Sequence, residues 1–242
     1  MKVRVRKTPK WESELWSLLS KGDGVTCPLY DIDKNGHCSK WCFNDGKEMF
    51  IKLYGTYVVG SSSNENELDV VRKLFDHKFP RKWVPGRIFQ LIEILANKYI
   101  KQAKLTQPPV ITELIKQFDI SPRIEVRPLP LKAYHGAIWH LEDGWVIHIN
   151  NRDEPVTQRL TLFHEVFHIL AHSRAIPVFK KRGFKDGLFN EMLADYFAGC
   201  LLMPKGWVKE KWAEINDLKQ IAEIFQVTEV SMWIRLKTTG LI

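Results

Sequence analysis

Long apolar runs and CxxC cysteine pairs are both missing from this sequence of 242 residues. No apolar run approaches the roughly 18 residues that suggest a bilayer-crossing helix, so we expect no membrane-spanning segment and no membrane partner. The basic start, MKVRVRKTPKWE, has no apolar core behind it and does not resemble a secretory signal. Four cysteines are too few for a disulfide scaffold. Together these absences predict a cytoplasmic protein.

Internal repeats and low-complexity tracts are also absent. The composition, 45% hydrophobic and 26% charged, is typical of a soluble globular protein. A formal net charge of +8 suits an acidic partner such as DNA, but many solvated surfaces carry a similar excess. Charge alone therefore leaves DNA contact open.

A polar run at 60–66, GSSSNEN, predicts a loop or linker near the first quarter of the chain. We divide the chain into four regions: a small N-terminal region containing Cys and Trp (1–62), a helical segment (63–120), a core of short extended pieces and two longer helices (121–213) and two C-terminal helices that resemble a helix-turn-helix (214–242).

The core region predicts an α+β fold in which a small antiparallel sheet packs on two helices. Short extended pieces at 123–127, 133–140 and 145–150 precede a long helix that runs to about His172. A second helix, 187–203, is stopped by Pro204. If the 145–150 strand lies at a sheet edge, it could pair with an extended substrate; otherwise it is an ordinary sheet strand.

The long helix contains the stretch TLFHEVFHILAH, in which His164 and His168 are one helical turn apart. Two imidazoles at this spacing can converge on one zinc ion. Glu165 projects beside them, where it suits a general base for the attacking water. His172 lies roughly 12 Å along the axis from His164, too far to share the ion. The alternative is that these histidines are polar residues tolerated on a buried helix.

The second helix places Glu191 and Asp195 four residues apart among mostly apolar neighbours. A catalytic zinc takes three protein ligands and one open position, and two histidines with one glutamate form a known set. A metal-bound histidine usually donates its other N–H to a carboxylate. We therefore predict Glu191 as the third ligand and Asp195 as the partner of a histidine, His164 in our assignment. An exposed acidic stripe is the alternative.

Three separated motifs resemble the ImmA/IrrE-like metallopeptidase family: DGWVIHIN (143–150), QRLTLFHEVFHILAH (158–172) and NEMLADYFAGCLLMP (190–204). The resemblance covers about residues 120–205 and extends into the tail, and it implies that the core at 121–213 is a zincin-like metallopeptidase domain. It implies a zincin-like fold and cleavage of a regulatory protein, often an XRE-type helix-turn-helix repressor. Phe167 stands where many members have a Gly before the second His, a change that leaves every predicted ligand in place.

The oxyanion that develops during peptide cleavage needs a hydrogen-bond donor besides the metal. The sequence offers four candidates and does not choose among them: Tyr196, His135, His140 and His148.

The N-terminal region contains a second group of metal-ligand types: Cys27, His37, Cys38 and Cys42. Thiolates and imidazoles bind structural zinc, but the spacing lacks the CxxC pair that makes such sites specific. A structural zinc ion and ordinary reduced thiols both remain open. Cys200, inside the second helix, reads as a core residue.

The tail at 218–236 resembles a helix-turn-helix, with Thr228 as the cap of its second helix and Gln226 in place of the usual turn Gly. The face that we expect to be exposed is not strongly basic, because Glu223 and Glu229 offset Arg235 and Lys237. This balance favours a packing or substrate-sensing role over DNA reading.

The sequence therefore predicts a cytoplasmic zinc endopeptidase that cleaves a helix-turn-helix repressor in a bacterial or mobile-element regulatory system. The alternative is a DNA-binding or protein-binding regulator, such as a phage immunity or toxin–antitoxin component, with a weak or vestigial peptidase site.

Overall fold

The computed structural model describes residues 8–21, 87–118, 120, 124–131, 135–142, 144–172 and 184–242. The side chains of residues 20, 21, 172 and 184–192 lie outside the described part. The predicted linker at 60–66 and the group formed by Cys27, His37, Cys38 and Cys42 also lie outside the described residues. Within these described ranges, no helix combines the length and apolar character needed to cross a membrane.

The described part of the chain contains seven α-helices, one 3-10 helix and one small sheet. In chain order the helices are α1 (Lys10–Lys21), α2 (Arg87–Gln102), a 3-10 helix (Thr112–Gln117), α3 (Pro155–His172), α4 (Phe184–Leu202), α5 (Lys205–Ile215), α6 (Leu218–Phe225) and α7 (Glu229–Thr239). The HExxH helix α3 ends at His172, as predicted. Helices α1 and α5 were not predicted, and α5 begins directly after Pro204, which stops α4.

Among the described residues the sheet has three strands, β1 (Ile124–Leu129), β2 (Gly136–Leu141) and β3 (Gly144–Asn150), in the order β1-β3-β2. Strand β2 is antiparallel to β3, but β1 is parallel to β3, so the predicted antiparallel sheet is in fact mixed. The reason is that a tight turn fixes the direction of a hairpin, whereas a longer connection leaves the direction of β1 unmarked in the sequence.

Strand β3 lies in the middle of the sheet, with hydrogen-bonded neighbours on both sides. The hypothesis that this strand binds a substrate at an edge is therefore wrong. Its burial explains the position, because every residue of β3 except His148 is buried. A strand that is largely buried on both faces is typical of the centre of a sheet.

The core lies between the sheet and helices α2, α3 and α4. One face of the sheet contributes Trp145, Ile147 and Ile149, while α3 and α4 meet through Phe167 and Phe197, whose ring centroids are 5.2 Å apart. Each fully buried Phe or Leu stabilises the fold by about 1.5–3 kcal/mol. This packing holds the helix that contains the histidines against the helix that contains the acids.

Helix α1 packs against α2 through a partly buried ion pair. Glu12 is 3% exposed, and its Oε2 atom accepts a hydrogen bond from Lys98 Nζ at 3.1 Å. At the solvent edge, Arg87 binds Glu14 through two hydrogen bonds of 2.7 and 2.8 Å. The first helix is thus fastened to the helical layer that covers α4.

The two C-terminal helices are joined by a tight turn. Gln226 ends α6 in the left-handed region (φ 52°, ψ 54°), where the usual Gly would avoid a steric cost of about 1–2 kcal/mol. Thr228 caps α7 as predicted, because its hydroxyl oxygen accepts a hydrogen bond from Ser231 N at 3.1 Å.

The prediction that Arg235 lies on an exposed face is wrong, since its side chain is 1% exposed. Its guanidinium donates to Met203 O at 2.9 Å, to Glu93 Oε1 at 2.6 Å and to Cys200 Sγ at 3.3 Å. The charge pattern of α7 could not predict this burial, because the acceptors belong to α2 and to the end of α4.

Candidate metal centre

The histidines of the HExxH motif lie side by side in the interior. His164 is 4% exposed and His168 is 8% exposed. Their Nε2 atoms are 3.1 Å apart, and their ring planes are inclined at 68°. Helix α3 produces this arrangement, because residues four apart lie on one face one turn from each other.

Asp195 fixes the orientation of the first histidine. Its Oδ1 atom lies 2.6 Å from His164 Nδ1, and the Asp195 side chain is 2% exposed. A buried carboxylate needs a donor, so we place a proton on Nδ1 of His164. The Nε2 atom of His164 is then left with a lone pair that faces His168.

Two nitrogen ligands of a tetrahedral zinc ion, each at about 2.0–2.1 Å from the metal, lie about 3.3 Å apart. The observed separation of 3.1 Å between the two Nε2 atoms is close to this value. In addition, Asp195 Oδ2 is buried without a hydrogen-bond partner among the described residues. A cation held by His164 would offset the charge of this carboxylate, so the residues fit a divalent metal.

Glu191 lies in α4 four residues before Asp195. The two residues are therefore on the same side of the helix, one turn apart. Its side chain is outside the described part, so the predicted third ligand has no coordinates to compare. Among the side chains that the structure does describe, no group of three His, Cys, Asp or Glu is placed to hold a metal.

Glu165 lies against the first residue of β2. A Cβ atom built on Gly136 would be 2.9 Å from Glu165 Oε1 and 2.6 Å from Thr161 Cγ2. Both side chains belong to the face of α3 that the sheet approaches, since Thr161 and Glu165 are four residues apart. The predicted general base therefore borders the end of an edge strand.

The four candidate oxyanion donors are widely separated in the structure. Tyr196 is 1% exposed, and its ring packs edge-on against Phe89 in the core. The ring of His140 packs on Trp145, about 13 Å along β2 from Gly136. His148 lies on the opposite face of the sheet from Ile147 and Ile149, and it accepts a hydrogen bond from Trp139 Nε1 at 3.2 Å.

His135, the fourth candidate, directly precedes Gly136 and is the nearest of the four along the chain to the contact with Glu165. Its Nδ1 atom is hydrogen-bonded to Asp153 Oδ2, and its carbonyl accepts from Asn150 N at 2.8 Å. These bonds fix the start of β2 relative to the loop that leads into α3.

Two residues near the centre, Gly136 and Arg159, were not singled out by sequence reasoning. Arg159 donates to Gln226 O at 2.6 Å and also to Val110 O, so it joins the HExxH helix to the turn between α6 and α7. Burial lowers the pKa of Arg159 from its ordinary value through desolvation. A lone arginine or glycine in the sequence gives no sign of such contacts.

Comparison with protein families shows which known domain this region resembles. Residues 121–237 match the model of a peptidase family described as the IrrE N-terminal-like domain. This part of the chain is similar to the IrrE N-terminal-like domain of that family. The matched IrrE-like domain includes β1 to α4 and continues through α5, α6 and most of α7.

Among solved structures, a Mycobacterium tuberculosis transcriptional regulator is similar, with a TM-score of 0.50 and 15% sequence identity. The match covers 61% of this chain and 46% of that chain, so this chain matches about half the length of the regulator. At this identity the likeness shows a shared α+β fold. A comparison with curated proteins gives no significant match.

Proposed function

We propose that this protein is a cytoplasmic zinc-dependent endopeptidase that cleaves a regulatory protein. The observation that carries the proposal is the buried pair of Nε2 atoms, 3.1 Å apart, with His164 held by Asp195 at 2.6 Å. The IrrE-like domain supports a metallopeptidase-like regulator.

His164, His168 and Glu191 would hold one Zn²⁺ ion. Bound zinc would polarise the scissile carbonyl and lower the pKa of water toward neutrality. The carboxylate of Asp195 keeps the proton of His164 on Nδ1, so the lone pair of Nε2 stays directed at the metal position.

Glu165 would be the catalytic residue of this chain. Its carboxylate would take a proton from the attacking water and then deliver that proton to the nitrogen of the leaving amine. Because it is adjacent in sequence to His164 and borders Gly136, we place it between the proposed metal position and strand β2.

Strand β2 is the edge at which we place an extended substrate. Because Asn150 N donates to His135 O, the alternation of an antiparallel pair directs the backbone groups of Gly136, Ile138 and His140 away from β3. No further strand pairs with this side among the described residues. A peptide added here by backbone hydrogen bonds would have its scissile bond near Glu165 at the Gly136 end.

We assign the substrate to the class of helix-turn-helix, XRE-like repressors. The resemblance to ImmA/IrrE-like proteins motivates this assignment, and the similar Mycobacterium tuberculosis structure is a transcriptional regulator. The system would be bacterial or carried by a mobile element.

A DNA-binding regulator is the second candidate, because α6 and α7 resemble a helix-turn-helix. However, all six residues from Ser231 to Leu236 in α7 are buried. A recognition helix needs polar side chains that reach base edges in the groove. We therefore favour a packing or substrate-sensing role for these helices.

Metal content and cleavage together test the proposed function. The wild type, Glu165→Gln and Glu191→Ala would each be purified, measured for bound zinc and incubated with a co-expressed helix-turn-helix repressor. We expect one zinc ion per chain in the first two proteins, loss of zinc from Glu191→Ala, and cleavage by the wild type alone. Undiminished cleavage by Glu165→Gln would rule out the mechanism.

A further inference from the structure

We propose that Gly136 is a positioning residue for the base Glu165, which is an inference that rests on the proposed peptidase function. The missing side chain at Gly136 lets the start of β2 close on helix α3, so the Glu165 carboxylate is confined between the strand and the helix.

The space at Gly136 is too small for any other residue. A Cβ atom there would lie 2.6 Å from Thr161 Cγ2, 2.9 Å from Glu165 Oε1 and 3.2 Å from Glu165 Cγ. Carbon atoms in contact normally lie about 3.5–4.0 Å apart. A methyl group at position 136 would therefore push at least one of these two side chains away.

Backbone conformation does not account for the glycine. Among the described glycines, positive φ angles occur at Gly144 and Gly240, and Gly136 has none. It is the first residue of β2 and pairs with Ile149 in the sheet. An alanine could adopt this extended backbone, so the requirement at position 136 is one of space alone.

The two neighbours of Gly136 differ in how easily they yield. Thr161 is β-branched and stiff at χ1 within a helix, whereas the Glu165 carboxylate is the end of a longer, flexible side chain. A methyl group at position 136 would therefore displace the Glu165 carboxylate, while the contact with Thr161 Cγ2 would remain as strain. The imidazoles of His164 and His168 would stay in place, because their packing lies elsewhere on α3.

The test compares Gly136→Ala with Gly206→Ala, a matched control in α5 where an added Cβ meets no atom within 4 Å. The probe is acetohydroxamic acid added to the zinc-loaded full chain. A hydroxamic acid binds zinc as an anion, and its O–H proton passes to a neighbouring carboxylate. Its affinity therefore reports the position of Glu165 without any need for the natural substrate.

We expect Gly136→Ala to retain one zinc ion per chain while its affinity for acetohydroxamic acid falls at least about tenfold. The rate of cleavage of dye-labelled casein should fall about 100-fold in kcat with little change in KM, as expected for a base misplaced by about 1 Å. Gly206→Ala should match the wild type in every measurement, and Glu165→Gln gives the full loss for comparison.

The double variant Gly136→Ala/Thr161→Ser separates positioning from packing, because it removes the Thr161 methyl group but leaves the contact with Glu165. We expect it to recover the unfolding temperature lost in Gly136→Ala without recovering hydroxamate affinity. If Gly136→Ala unfolds too readily to assay, the double variant carries the comparison alone.

Two results would overturn the positioning role: wild-type hydroxamate affinity in Gly136→Ala, or recovery of that affinity together with stability in the double variant. A wild-type protein that binds neither zinc nor acetohydroxamic acid would instead overturn the proposed function, and the role of Gly136 with it.

Discussion

His164 Nδ1 and Asp195 Oδ1 are 2.6 Å apart, and both residues are at least 96% buried. This contact connects helices α3 and α4 at the level of the proposed metal. It also leaves one carboxylate oxygen of Asp195 without a hydrogen-bond partner among the described residues.

Replacement of Asp195 should weaken zinc binding. In Asp195→Asn the negative charge near His164 is lost, and the amide can stabilise the wrong tautomer of the ring. We expect zinc affinity to fall about 10–100-fold, measured by competition with a chromophoric chelator. Asp217→Asn, which alters an exposed helix cap, is the control. Equal affinities in both variants would show that Asp195 does not support the metal ligand.

Replacement of Arg235 should destabilise the whole fold. Arg235→Met removes a buried cation and leaves the Glu93 carboxylate and the Met203 carbonyl without their donor. We expect the free energy of unfolding to fall by about 3–5 kcal/mol, measured by urea denaturation. Arg127→Met, which breaks an exposed pair with Glu125, should change little. A loss in the Arg235 variant no larger than in this control would contradict the assigned contacts.

Cys200 should reduce stability at alkaline pH. Burial raises the pKa of its thiol to about 12 against an ordinary value of 9.0, and the nearby Arg235 opposes that rise. The thiol stays protonated in the folded state while the unfolded chain ionises, so stability is full below pH 9.0 and falls as pH rises toward about 12. The slope from this group is about 1.4 kcal/mol per pH unit.

The measurement is urea unfolding of the wild type and Cys200→Ala between about pH 8 and 10.5, under reducing conditions. The difference in free energy between the two proteins should shrink as pH rises above 9.0. A constant difference across this range would mean that the thiol of Cys200 titrates alike in both states.

DNA binding, if present, should be weak and independent of sequence. Because Ser231 to Leu236 are buried, α7 offers no row of side chains to a groove. Retention of DNA on a filter should be lost between about 50 and 200 mM salt, as for binding through phosphates alone. Tight binding of one DNA sequence over an unrelated one at physiological salt would favour the regulator over the peptidase.

The sequence predicts local features of this protein well. Helix α3, its histidine spacing and the cap at Thr228 depend on residues within a few positions of one another, and each follows from helix periodicity or capping chemistry. The similarity to the IrrE N-terminal-like domain could be found from separated motifs because their order and spacing carry information that no single motif has.

Features that depend on contacts distant in sequence could not be predicted. The direction of β1 relative to β3 depends on the path of the connection between these two strands. The burial of Arg235 depends on hydrogen-bond acceptors 32 to 142 residues away. The need for glycine at position 136 arises from two side chains of another element. Such relationships leave no periodic pattern, so only the folded arrangement reveals them.

The contact between Arg235 and Met203 has a consequence for how this protein can be divided and recombined. The Met203 carbonyl, in the Leu-Leu-Met-Pro segment, accepts its hydrogen bond from Arg235 in α7. A fragment that stops after Pro204 would therefore leave that carbonyl and the Glu93 carboxylate without this donor. We therefore expect chimeras that exchange the tail for an unrelated module to express poorly. The tail and helices α3 and α4 should be inherited as one unit.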